Sequence, residues 1–346
     1  MQRASALSQP VAAPKLISLG VLALALCFAE LMLGPVSLHP VTVIEALFGQ
    51  GAPIETAIVQ QIRLPRLLLG CAVGVALAAS GAALQGILRN PLADPGLIGV
   101  TAGASLGAVG IIVLGATLVT SVPEGVRNWL LPMGAFIGAL VVNFTIFGIA
   151  RRSGQTPVST LILAGIALNA IAGAGIGAMI YLSDDQQLRD LNFWLLGGLG
   201  TAGWSLVTVV AIITLFTVPL LLFLTRALDL MQLGERAAFH AGLDVESCKL
   251  RVAIGTALSV GAVTAAAGPI GFIGLVAPHL ARLLLGARHA LVIPGACLLG
   301  VSLVLASDLV VRLAVPPAEP PIGLATSLIG GPFFLWLIIK SQNRHD

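Results

Sequence analysis

The chain has 346 residues; 57% are hydrophobic, only 10% are charged, and the formal net charge is +3. Soluble domains carry about 25% charged residues, so a water-facing surface cannot be built from this composition, and disorder, which needs low hydrophobicity and high charge, is excluded with it. What remains is a protein of the lipid bilayer with room for roughly ten helices of about 20 apolar residues; a transmembrane β-barrel would show short alternating strands and aromatic girdles, whereas this chain has unbroken apolar runs such as 205–224.

In chain order, the apolar runs predict spans at 16–36, 66–87, 97–119, 130–150, 158–181, 203–225, 250–267, 269–285, 291–312 and 322–340. Arg3 and Lys15 precede the first run, which is longer than a signal-peptide core and lacks a clear cleavage site, so it reads as a retained span. Glu30 is singled out as a carboxylate inside the first run, whereas a coupling-ion site usually needs several such groups. Arg63-Leu-Pro-Arg66 opens the second span. Pro65 suits a first helical turn, and arginines at i, i+3 share a helix face. Two readings are open for this pair: docking of carboxylates from an external partner, or anchoring at the interface.

Three stripes of small residues follow at four-residue spacing: Gly70, Gly74 and Ala78; Gly99, Gly103 and Gly107; and Gly165, Asn169, Gly173 and Gly177. Such faces let helix backbones approach closely. The third carries an amide, which suits a face that meets water or a moving partner, so it is the candidate pathway face. The segment 226–249 contains two short amphipathic pieces broken at Gly234 and Gly242, either a handle for a cytosolic partner or a helix lying on lipid. At Gly268-Pro269 the pattern admits two short helices or one kinked helix.

Ten spans place both termini on one side. That side then holds thirteen basic residues (Arg3, Lys15, Arg89, Arg151, Arg152, Arg226, Arg236, Lys249, Arg251, Arg282, Arg288, Lys340, Arg344), and the other holds five (Arg63, Arg66, Arg127, Arg189, Arg312). The positive-inside rule therefore puts both termini in the cytoplasm. Cys27, Cys71 and Cys297 lie in apolar runs and Cys248 in a charged loop, which argues against a disulfide framework. None of the three lysines follows a glycine, so there is no phosphate-binding Walker loop, and there is no zinc helix, nucleophile elbow or Cys-x-x-Cys pair. No catalytic residue, permanently bound cofactor, metal or nucleic-acid site is expected. The five scattered histidines (His39, His240, His279, His289, His345) read as interfacial residues hydrogen-bonded to loops, with an axial haem ligand or proton relay as the alternative.

Several segments together carry a family resemblance: Arg63-Leu-Pro-Arg66, the stretch Ser80–Gly99, Leu163-Ala-Gly-Ile-Ala-Leu168, Gly271-Phe-Ile-Gly-Leu-Val-Ala-Pro-His279, and Pro321-Ile-Gly with Ile329-Gly-Gly-Pro-Phe-Phe334. The chain resembles, over nearly its whole length, the permease subunits of type II ABC importers for iron chelates, haem and cobalamin. Where that family often has Glu-Leu-Pro before the last span, this chain has Glu319-Pro-Pro321. The resemblance implies an all-α integral membrane protein of about ten transmembrane helices, a single permease domain over 1–346, and a homodimer with the pathway on its axis. It further implies two separate ATP-binding cassette subunits, which hydrolyse the ATP, and a periplasmic binding protein. The residues matching the docking arginines are Arg63, Arg66 and Arg312. The helix with Gly165, Asn169, Gly173 and Gly177 matches the one that lines and gates the pathway. Gly234, Glu235, Arg236, Ala237 and Gly242 match the coupling helices that seat on the ATPase. The segment 181–194 most resembles haem permeases, which makes haem the expected cargo, carried inward across the bacterial inner membrane by alternating access. Ferric siderophores and cobalamin are the alternatives, and a stand-alone secondary transporter is the rival class. Arg189 is a candidate for a haem propionate, or for a salt bridge with Asp185 or Asp190.

Overall fold

The computed structural model describes residues 9–151, 154–316 and 318–342. Arg3, Arg152 and Arg344 of the charge count lie outside the described residues, as does the side chain of Lys340. In chain order the helices are α1 (Gln9–Met32), α2 (Pro40–Leu47), α3 (Pro53–Ala57), a π-helical turn (Ile58–Arg63), α4 (Leu64–Leu88), a 3-10 turn (Pro95–Ile98), α5 (Val100–Ser121), α6 (Glu124–Ala150), α7 (Val158–Leu182), α8 (Asp185–Leu196), α9 (Trp204–Phe223), α10 (Thr225–Met231), α11 (Glu235–His240), α12 (Val245–Ala267), α13 (Ile273–Leu285), α14 (His289–Ala314) and α15 (Ile322–Gln342).

Among the described residues seven helices are long and apolar enough to cross a bilayer: α1, α4 with the turns before it, α6, α7, α9, α12 and α14. Shorter apolar stretches of α5, α13 and α15 complete the set of ten. Helices satisfy their own backbone groups, which the hydrocarbon core cannot do for them. Helices α4 and α12 are largely buried and α14 mostly so, whereas α1 and α7 expose most of their surface. The apolar core runs along α4, with α12 and α14 against it.

Small residues set these contacts. A Cβ added at Gly74 would lie 2.5 Å from the backbone nitrogen of Val301, and one at Gly107 would lie 2.1 Å from the carbonyl oxygen of Gly134. The first two glycine stripes are therefore packing faces, of α4 on α14 and of α5 on α6. At 268–272 the chain forms two helices and not one kinked helix. Gly268 has φ +70 and accepts it without a Cβ clash, and Phe272, at φ +69, stands at the N-cap of α13.

The connecting segments hold more structure than the hydropathy pattern shows. The stretch 37–65 contains α2, α3 and the π-helical turn. The stretch 182–202 contains α8, which starts with a capping box in which Asp184 and Gln187 each bond the other's backbone. The two pieces expected in 226–249 are α10 and α11, parted at Gly234 (φ +106) and closed at Gly242 (φ +87).

Candidate functional site

One end of the bundle gathers the ends of α1, α4 and α14 together with α8. Arg66 forks onto Asp308 of α14, Nε donating to Oδ2 at 2.8 Å and Nη2 to Oδ1 at 2.9 Å, while Nη1 donates to Glu319 Oε2 at 2.6 Å. This bidentate geometry is what a guanidinium offers a carboxylate. Arg312 donates to Glu30 at the end of α1, and Arg63 donates to the carbonyl oxygens of Leu31 and Val36. The three arginines thus form one cluster with three carboxylates.

Two sequence expectations change here. The arginines are buried, at 4%, 7% and 4% exposure for Arg63, Arg66 and Arg312, and do not project freely from the surface. Nor do Arg63 and Arg66 point the same way: one turns to α1 and the other to α14. The π-helical turn ends at Arg63 and α4 begins at Leu64. The wider π turn alters the angular step between neighbours, so the i, i+3 rule for a regular α-helix does not carry across. Glu319 is the accessible carboxylate of the cluster, its side chain 44% exposed against 1% for Asp308 and 2% for Glu30. Among the described residues Arg312 Nε and Glu30 Oε1 are buried without a hydrogen-bond partner.

Beside the cluster lies a cavity of about 570 Å³, bounded by Arg66, Asp308 and Glu319, by Asp190 and Trp194 of α8, and by the loop 197–201. Arg189, on the exposed face of α8, does not line it. Its Nη2 donates to Gln186 Oε1 at 2.7 Å, and Gln186 in turn donates to Asp190 at 3.1 Å. Among the described residues Arg189 makes no direct ion pair with Asp185 or Asp190.

The stripe on α7 divides into two environments. A Cβ at Gly165 would lie 2.0 Å from the carbonyl oxygen of Leu97, so only glycine lets α7 meet the 3-10 turn there. Asn169 Nδ2 donates to the carbonyl of Gly96 at 3.0 Å, and its Oδ1 is buried without a partner among the described residues. These two residues pack inside the protomer. Gly173 and Gly177 are exposed, with open space where a side chain would stand. The turn beneath is held by Asp94, whose carboxylate accepts from the Gly96 N–H at 2.8 Å; burial pushes this carboxyl above the ordinary carboxylate range, with that N–H opposing the shift.

At the opposite end, α10 and α11 form the surface. Arg236 and Ala237 are exposed, as are Leu233 and Phe239, while Ala238 packs inward. Glu235 reaches back to Lys249 of α12, Oε2 to Nζ 2.8 Å. Asp229 of α10 holds His289 at the start of α14, Oδ1 to Nδ1 2.7 Å, and also accepts from the His289 N–H at 2.9 Å. His289 thus departs from the interfacial, loop-bonded reading: it is fully buried and its partner Asp229 lies within α10.

Sequence reasoning missed Asp308, Glu319, Asp229 and Lys249 as partners. Glu246 and Lys249, at helical i, i+3 spacing, were the one visible signal. The other pairs join residues far apart in the chain: 242 positions for Arg66–Asp308 and 282 for Glu30–Arg312. Among the described residues no group of His, Cys, Asp and Glu is placed to hold a metal.

Residues 22–340 match the FecCD transport family. The chain is 47% identical over 285 residues to the hemin transport system permease protein HmuU of Yersinia pestis, covering 82% of this chain and 84% of that one. It is 39% identical over 297 residues to the cobalamin import system permease protein BtuC of Halobacterium salinarum, covering 85% and 77%. A solved chain described as an inward-facing conformation of a metal-chelate type ABC transporter superposes with a TM-score of 0.81 at 32% identity, over 94% of this chain and 99% of that one. Sequence, helix order and three-dimensional course agree, and the chain belongs to the FecCD transport family.

Proposed function

We propose that this chain is the membrane-spanning permease subunit of an ATP-driven importer, and that its cargo is haem. The observation that carries the cargo is the 47% identity to a hemin permease, against 39% to 40% for the cobalamin permeases. In this reading two copies pair around a pathway flanked by α7, whose exposed Gly173 and Gly177 face the opening. Two ATP-binding cassette subunits seat on α10 and α11, through Gly234, Glu235, Arg236, Ala237 and Gly242. The whole of 1–346 acts as one permease domain in the bacterial inner membrane, with the α10–α11 end and both termini cytoplasmic by the positive-inside rule.

The opposite end then receives a periplasmic haem-binding protein. Arg63, Arg66 and Arg312 are already paired, so docking works by exchange: an incoming carboxylate takes the place of Glu319 on Arg66 Nη1. Arg189, which does not line the cavity but is exposed on α8, would meet a propionate as the cargo leaves the binding protein. Nucleotide state and docking each bias the same dimer between outward- and inward-open forms.

The test is uptake into proteoliposomes holding this permease with its ATPase and binding protein, given haem, a ferric siderophore or cobalamin in parallel. ATP-dependent uptake of haem above the other two is expected. Preference for cobalamin or the siderophore would replace the cargo, and uptake against a gradient without any ATPase would replace the whole reading by a secondary transporter.

A further inference from the structure

Lys249 is buried, at 1% exposure, near the first turn of α12, and all three donors of its Nζ are used. They reach Glu235 Oε2 of α11 at 2.8 Å, Glu246 Oε1 of α12 at 3.2 Å, and the carbonyl oxygen of Thr156 at 2.7 Å. Thr156 stands two residues before α7 begins at Val158, and its hydroxyl donates to Glu246 Oε2 at 2.6 Å. Three elements therefore converge on one nitrogen: α11, α12 and the lead-in to α7. Alongside them Leu161 and Ala164 of α7, Ala253 of α12 and Ile146 of α6 form a separate apolar cluster, so the base of α7 is bolted to α12 by packing as well. The link to α11 is different. Glu235 follows Gly234, where φ of +106 breaks the chain direction, and its carboxylate is the polar contact joining α11 to this node.

We infer that Lys249 is a positioning residue that carries movement of α11 to the first turn of α7, so that the seat of the ATPase and the helix flanking the pathway shift together. The inference rests on the functional reading given above. A buried cation held by two carboxylates and a backbone carbonyl resists separation of any one partner, because each loss leaves a donor of the buried Lys249 unpaired away from water. A push on α11 is thereby passed to Thr156 and not dissipated in the loop.

The test uses the complete complex in proteoliposomes, with haem uptake and ATP hydrolysis measured in the same vesicles. Lys249→Met is expected to lower haem moved per ATP hydrolysed by about tenfold, with the ATPase still copurifying in wild-type proportion. Glu235→Gln is expected to reproduce the loss, and the double variant to be no worse than the worse single, because both cut one link. Thr156→Val, which removes only the hydroxyl bond, should give a smaller loss of the same ratio. A residue that merely held the fold would lower uptake and hydrolysis together with Tm and leave their ratio unchanged. An unchanged ratio in Lys249→Met, or losses that multiply in the double variant, would overturn the inference. If Lys249→Met fails to fold, Glu235→Gln and Thr156→Val decide it by the same ratio. Wild-type vesicles that move no haem, siderophore or cobalamin on ATP would overturn the functional reading itself; normal wild-type coupling with normal coupling in the variants overturns this inference alone.

Discussion

Asp308 and Glu319 share one guanidinium but do different work. Asp308 is sealed against Arg66, and removing one partner of a buried pair leaves an uncompensated charge that costs roughly 3–5 kcal/mol. Asp308→Ala leaves Arg66 only its half-exposed partner Glu319, so it should destabilise the detergent-purified protein by up to that amount, read as a lowered denaturation midpoint; an unaltered midpoint would show the pair to be dispensable. Glu319 is half-exposed, where an ion pair contributes about 0–1 kcal/mol. Glu319→Gln should leave stability nearly intact while strengthening binding-protein docking several-fold, since the competing carboxylate is gone. Weaker docking in Glu319→Gln would refute the exchange. The need for such partners was legible in the sequence, because an ionisable residue in an apolar run must be paired. Their identity was not, because Glu30 and Arg312 meet only through the packing of α1 on α14.

Helix α7 shows how one periodic pattern serves two purposes. The four-residue spacing of Gly165, Asn169, Gly173 and Gly177 reads as a single face, and by angle it is one. Its lower half is covered by the 3-10 turn Pro95–Ile98 and its upper half is open. Gly165→Leu would drive a side chain into the carbonyl of Leu97, and overpacking of that kind costs about 1–3 kcal/mol. At Gly173 a Cβ meets open space, so Gly173→Leu should leave Tm nearly unchanged while reducing haem uptake by obstructing the opening. Equal loss of stability in both variants would show that the open half is covered in the assembled dimer. Spacing gives the face; the cover comes from a turn some 70 residues upstream, and no periodicity reports it. In the same way α8 and the π-helical turn escape a hydropathy reading, since neither is apolar enough or long enough to stand out.

Across the whole molecule the ten apolar helices followed directly from composition and run length, the most dependable signal a membrane chain carries. The orientation proposed for them rests on charge bias, and accessibility tests it. In a background without native cysteines, Ala237→Cys should react with an impermeant maleimide only after the cytoplasmic side is opened, and Gly125→Cys should react from the periplasm. The reverse pattern would invert the topology and exchange the roles of the two ends.

Helix α13 has 13 residues, about 20 Å at 1.5 Å per residue, against a hydrocarbon thickness of about 30 Å. The five residues ahead of it are not helical: the Gly268 N–H donates to Thr264, and the carbonyls of Gly271 and Phe272 accept from the first turn of α13. Gly274 sits against Gly81 of α4, and Phe272 lies against Gly330 of α15. Such a segment gains too little from lipid to partition into it unaided, so its insertion waits for companions already in place. A nascent chain cut just after Leu285 should keep this stretch accessible to water-borne reagents, and synthesis through α14 should bury it. The stubbiest rod of the bundle thereby dictates the order in which the last third of the protein is threaded.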